Sequence, residues 1–160
     1  MRLVLDHYQL EIDVEKTRQY YAKKAMYDGE RCSCQGCRNF VRAVGSMPKA
    51  VSDFCEQFGI DVEEPVNIST FPCTRDGRFS YNLTYECCGK IVSEEARFIR
   101  NPGGTRLMTE KYHINEEFYV WFEVSEFVID PKCPHPILTI EMIGFLPFVL
   151  DEEICSDYLY

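Results

Sequence analysis

Arg31-Cys32-Ser33-Cys34-Gln35-Gly36-Cys37-Arg38-Asn39-Phe40 is the segment of this sequence with the densest chemistry. Its three sulfurs can converge on a single ion if the backbone between them turns tightly, and Gly36 offers the positive φ that such a knuckle uses. Thiolates are soft ligands and select zinc among the abundant divalent ions. A closed structural zinc site takes four ligands, of which Cys32, Cys34 and Cys37 supply three. Cys88 is the first candidate for the fourth. Strand alternation puts Tyr81, Leu83, Tyr85 and Cys87 on one face and Asn82, Thr84, Glu86 and Cys88 on a more polar one. Cys73, Cys55 and His7 follow it.

The same segment allows a second chemistry. Cys34 and Cys37 have Cys-x-x-Cys spacing, and Cys37 falls where a helix should begin. The helix dipole, with Arg31 and Arg38, would lower the pKa of a thiol there. Thiol-disulfide exchange through Cys34 and Cys37 is therefore the alternative to metal binding, although the βαβ order of a thioredoxin-like domain does not precede the motif. Cys55 reads differently. It shares a helical face with Val51, Phe54 and Phe58, and unpaired cysteine is among the residue types most often buried.

Whether nine cysteines mean disulfides depends on compartment. The opening Met-Arg-Leu-Val-Leu-Asp-His lacks a secretory apolar run and cleavage site, and no later stretch has the length of a membrane span. A cytoplasmic, reducing location is expected, which favours metal binding, redox chemistry or burial over a disulfide framework. The net charge of −9 opposes general nucleic-acid binding, which depends on Lys and Arg displacing counterions. The expected partner is a protein or a small molecule, with no membrane involved. Charge is uneven: residues 1–45 carry +2 and residues 46–160 carry −11. The basic residues Lys16, Arg18, Lys23 and Lys24 lie on the first helix and read as a solvated face.

Other groupings carry less. His7, His113 and His135 are far apart and sit in no metal or catalytic frame. Glu94-Glu95, Glu116-Glu117 and Asp151-Glu152-Glu153 read as solvated loops and termini. Pro102-Gly103-Gly104-Thr105-Arg106 lacks the phosphate-loop pattern and reads as a hairpin tip.

Helical grammar comes first along the chain. Leu3 to Ile12 alternates only partly and reads as an extended lead-in. Asp13 should open a helix over Val14 to Met26. Cys37–Val44 and Pro48–Phe58 follow, the latter with Pro48 in its first turn and Gly59 as its cap. From Pro65 the pattern turns to strands: Val66–Phe71, Phe79–Cys88, Lys90–Val92, Phe118–Phe127 and Ile137–Val149. Asp76-Gly77 marks the hairpin between the first two. The expectation is one α+β domain over residues 1–160, with N-terminal helices and the cysteine cluster in 1–60 and an antiparallel β-meander in 65–155. Trp121 should be substantially buried.

Glu15-Lys16-Thr17-Arg18, Tyr20-Tyr21, Cys34-x-x-Cys37-Arg38-Asn39-Phe40, Phe58-Gly59-Ile60-Asp61, Tyr81-x-x-x-Tyr85-x-x-x-Gly89 and Leu146-Pro147-Phe148-Val149-Leu150 lie in this order. In that order the chain resembles a family of small uncharacterised bacterial proteins with a Cys-x-x-Cys-x-Asn-Phe segment and a C-terminal Leu-Pro-aromatic-Val-Leu strand. The resemblance implies a soluble bacterial protein in one domain and brings no catalytic residue. Family members often carry a histidine and bulky apolar residues before the glycine, where this chain has Glu86, Cys87 and Cys88. The functional expectation is a binding or regulatory module with a structural zinc site.

Overall fold

The computed structural model describes residues 1–24, 32–71, 76–92, 98–100, 106–108, 110–124 and 128–158. The chain starts with strands: β1 (Arg2–Leu5) and β2 (Tyr8–Ile12) form an antiparallel hairpin, with Leu5, Tyr8, Leu10 and Ile12 buried. Three α-helices follow among the described residues, α1 (Val14–Tyr21), α2 (Gln35–Ala43) and α3 (Lys49–Phe58). The remaining strands are β3 (Asn67–Phe71), β4 (Arg78–Ile91), β5 (Phe98–Arg100), β6 (Arg106–Met108), β7 (Tyr112–His113), β8 (Tyr119–Val124) and β9 (Ile137–Pro147). They form one sheet in the order β1-β2-β4-β9-β8-β6-β5, with β3 added to β4 and β7 to β8. Every pairing among the described residues is antiparallel.

This corrects the expected architecture. The chain is an α+β mixture, but helices do not precede the sheet, and the sheet is not a meander. The segment read as a lead-in is a hairpin that pairs with β4 through Ile12 and Gly89. Alternation in Leu3 to Ile12 is weak because Leu3 and Val4 are not buried, so the apolar pattern runs across both faces.

Local signals placed the helices more closely. The Asp13 carboxylate caps α1 by accepting the Lys16 N–H at 3.2 Å. The described helix ends at Tyr21, and residues 25–31 lie outside the described part. Pro48 stands at the N-cap of α3, and Gly59 closes that helix at φ 76°. β4 runs unbroken through Gly89, where two strands were expected. A Cβ at Gly89 would come within 2.9 Å of the Glu11 carbonyl, so glycine permits the approach of β2 there. The β3–β4 hairpin forms as expected, but its residues 72–75, Cys73 among them, lie outside the described part, as does the tip of the β5–β6 hairpin.

Helices α2 and α3 cover one face of the sheet. Val51, Phe54, Cys55 and Phe58 of α3 are buried, Phe58 packs on Phe122, and Phe40 of α2 packs on Tyr81. Each such apolar side chain contributes about 1.5–3 kcal/mol. On β8, Val120 and Phe122 face this core, while Tyr119, Trp121 and Glu123 point the other way and are half-buried. Trp121 is therefore not a core residue: it lies beside Tyr119, and its indole N–H donates to Glu123 Oε1 at 2.9 Å.

One edge of β4 has a gap that shapes the site. β3 pairs with it as far as Thr84, and β2 takes over at Gly89. Between them α1 supplies the partners. The Thr17 hydroxyl accepts the Cys88 N–H at 3.0 Å, the Tyr21 hydroxyl donates to the Glu86 carbonyl at 3.0 Å, and the Asp13 N–H donates to the Cys88 carbonyl at 2.8 Å. Thr17 and Tyr21 are four residues apart, so one helix face satisfies the strand edge. No helix among the described residues is long and apolar enough to cross a membrane.

Candidate thiolate centre

Cys34 is the N-cap of α2, which begins at Gln35, two residues before the expected start at Cys37. Its sulfur accepts the Cys37 N–H at 3.5 Å. Cys37 then occupies the first turn, buried, and Cys32 precedes the helix, half-buried. The three sulfurs lie within 4.8 Å of one another, and those of Cys32 and Cys34 are 3.1 Å apart. Such a group can share one ion, since zinc–sulfur bonds are about 2.3 Å long and tetrahedral ligands therefore sit about 4 Å apart.

Gly36 serves the site by its size. It lies inside the helix rather than at a left-handed turn, and a Cβ on it would meet Thr70 Cγ2 of β3 at 2.3 Å. Glycine lets the first turn of α2 press against β3. The Tyr81 hydroxyl donates to the Gly36 carbonyl at 2.9 Å and accepts from Asn39 Nδ2 at 3.0 Å. Asn39 is fully buried, donates also to the Pro147 carbonyl and accepts the Val149 N–H, tying α2 to the end of β9. Gln35 holds the following segment through the Glu153 carbonyl and the Cys155 N–H.

Burial by itself would raise the Cys34 thiol. Hydrogen bonds from the Cys32 thiol, the Cys37 N–H and thiol, and the Tyr158 hydroxyl outweigh it and hold Cys34 below the ordinary thiol range. Arg38 does not take the part expected of it. Its guanidinium reaches Glu152 Oε1 at 2.6 Å and the Ser33 carbonyl at 3.2 Å. Arg31 lies outside the described residues.

Cys88 does not join the cluster. It is buried behind the start of α1, and its thiol faces the His135 carbonyl at 3.5 Å. Alternation ordered the faces of β4 correctly, but from Thr84 to Gly89 both faces are buried, so the polar face does not open toward α2. Cys55 lies in the core, where burial pushes its thiol up to about 12. His7 is exposed and pairs with Glu110 at 3.1 Å. Among the described residues, no fourth His, Cys, Asp or Glu joins the three sulfurs.

Sequence reasoning missed the cleft beside them. It measures about 870 Å³, and both Cys32 and Cys37 line it. Lys16, Gln19 and Tyr20 of α1 form one wall, extended by Lys23 and Lys24 in the turn after the helix; the segment Glu64 to Ile68 faces them. The loop carrying Asp130 and Lys132 closes one side. Buried Glu86 holds that loop by accepting the N–H groups of Ile129 and Asp130 at 2.7 and 3.0 Å. The basic spacing on α1 was visible, but nothing local showed that this face looks into a cavity. Comparison with protein families, curated proteins and solved structures finds no match for the chain.

Proposed function

We propose that the protein is a binding module organised by a metal–thiolate centre, with Cys32, Cys34 and Cys37 as ligands and zinc as the metal. The convergence of the three sulfurs at the N-terminus of α2 carries this reading. The Cys37 N–H and the Tyr158 hydroxyl offset thiolate charge at Cys34, and the donor set is soft. The fourth position would belong to solvent or to a molecule in the cleft that Cys32 and Cys37 line. Such an ion would pin α2 to the residues before it and contribute its binding free energy to folding.

The test is elemental analysis of protein purified without added metal, read beside melting with and without a chelator. Zinc should copurify, and chelation should lower the melting temperature of the parent but not of the Cys34→Ser/Cys37→Ser double variant. Metal-free protein that melts identically with and without added zinc would remove the reading.

A second reading has one observation in its favour, the 3.1 Å contact between the Cys32 and Cys34 sulfurs. Here the Cys34 thiolate attacks a partner disulfide, forming a mixed disulfide and releasing one partner thiolate. The Cys32 thiolate then attacks Cys34 and releases the other, leaving Cys32–Cys34 oxidised and the partner reduced. Cys32 replaces Cys37 as the second thiol of the expected pair. Turnover of a disulfide substrate by metal-free protein, lost in Cys32→Ser and kept in Cys37→Ser, would favour this reading over the first.

A further inference from the structure

We propose that the cleft beside the thiolate centre binds a small phosphorylated molecule along the lysines of α1 and the turn that follows it. The cleft concentrates positive charge in a chain whose net charge is −9. Lys16, Lys23, Lys24 and Lys132 line it against two carboxylates, Glu64 and Asp130. Asp130 is committed to the protein: it accepts the Tyr20 hydroxyl at 2.8 Å and the Lys132 N–H at 2.9 Å. Those bonds, with the charges of Lys24 and Lys132, outweigh burial and keep its carboxyl below the usual range, so it holds the loop in place as an anion.

The four lysines do different work. Lys24 donates to the Glu64 and Pro65 carbonyls at 2.7 and 3.1 Å and braces the opposite wall. Lys16 reaches the Asp13 carboxylate at 2.9 Å at the helix start. Lys23 and Lys132 are exposed, one in the turn after α1 and one on the loop, and can turn their ammonium groups inward. All four are lysine. An ammonium works as a movable point charge that can meet phosphate oxygens from several directions. A volume of about 870 Å³ exceeds the needs of an inorganic ion and fits a metabolite-sized ligand. Charge and shape carry this inference, so it stands or falls separately from the metal reading.

Pyrophosphate is the probe, titrated calorimetrically into the reduced, metal-free full chain. Saturable binding that weakens with added salt is expected. It should weaken at least about tenfold in Lys23→Glu/Lys132→Glu and by less than about threefold in Arg42→Glu/Lys49→Glu, which makes the same charge change away from the cleft. A second measurement uses the parent alone: pyrophosphate should slow alkylation of Cys32 and leave that of exposed Cys155 unchanged. The proposal is overturned by absence of saturable binding, by equal losses in the two double variants, by unprotected Cys32, or by citrate binding as tightly as pyrophosphate. Pyrophosphate binding by protein that takes up no zinc would support this inference while removing the metal reading.

Discussion

Glu141 shows how a single side chain can be legible in its chemistry and hidden in its surroundings. It sits on β9 between Thr84 and Trp121 in the sheet register, and the Thr84 hydroxyl donates to its Oε2 at 3.2 Å. Burial, aided by the nearby charge of Glu123, raises its pKa above the usual 4.5. The folded chain therefore holds this proton to higher pH than the unfolded chain. Stability falls as pH rises through the shifted range and recovers on acidification. Glu141→Gln keeps an acceptor for Thr84 and removes the desolvated charge. It should melt above the parent near neutrality, with the difference closing toward about pH 4.5. Parallel melting curves across that range would contradict this. Gly36 makes a steric prediction instead. Gly36→Ala drives a methyl into Thr70 and should destabilise by about 1–3 kcal/mol in urea unfolding, with part of the loss recovered in Gly36→Ala/Thr70→Ala. Full tolerance of the single change would mean that α2 does not press on β3.

At the scale of elements, α1 is the piece whose position matters most to the site, because it completes the edge of β4 and forms a cleft wall at once. Thr17→Val leaves the Cys88 N–H without its acceptor, and Tyr21→Phe leaves the Glu86 carbonyl without its donor. Each should cost about 1–3 kcal/mol, the penalty for orphaning a buried polar group. Amide exchange at Cys88 should quicken in Thr17→Val while amides of the β8–β9 pairing keep their protection. Unchanged exchange at Cys88 would show that the gap in the strand edge is closed by something else. The buried carboxylate of Glu86 plays the matching part on the other side, fixing the loop that carries Asp130 and Lys132.

For the whole molecule, the N-terminal hairpin decides between the architecture expected and the one found. A lead-in could be removed at little loss. The hairpin instead contributes buried Leu5, Tyr8, Leu10 and Ile12, and Tyr8 packs edge-on against Phe122 at a ring separation of 4.7 Å. Four buried side chains represent roughly 6–12 kcal/mol of apolar burial, comparable to the entire stability of an ordinary domain. Deleting residues 1–12 should therefore abolish the cooperative melting transition and expose surface that binds a hydrophobic dye. A truncated chain that melts cooperatively would show that the hairpin is dispensable.

Local chemistry was enough to read some of this from sequence. Asp13 and Gly59 mark helix ends because capping is a matter of adjacent backbone groups, and Val51, Phe54, Cys55 and Phe58 mark a buried face because helical spacing aligns them. The proximity of Cys32, Cys34 and Cys37 was legible for the same reason, since a few bonds separate them. Long-range pairing was not. Leu3 to Ile12 becomes the first two strands of the sheet only when β4 lies beside β2, and Cys88 is turned from the cluster because α1 covers that stretch of β4. Gly36 reads as a flexible turn until Thr70 stands 2.3 Å from where its side chain would be. Lys16, Lys23 and Lys24 read as a solvated face until the segment Glu64 to Ile68 and the Asp130 loop stand opposite them, because a cavity exists only between parts of the chain that folding brings together.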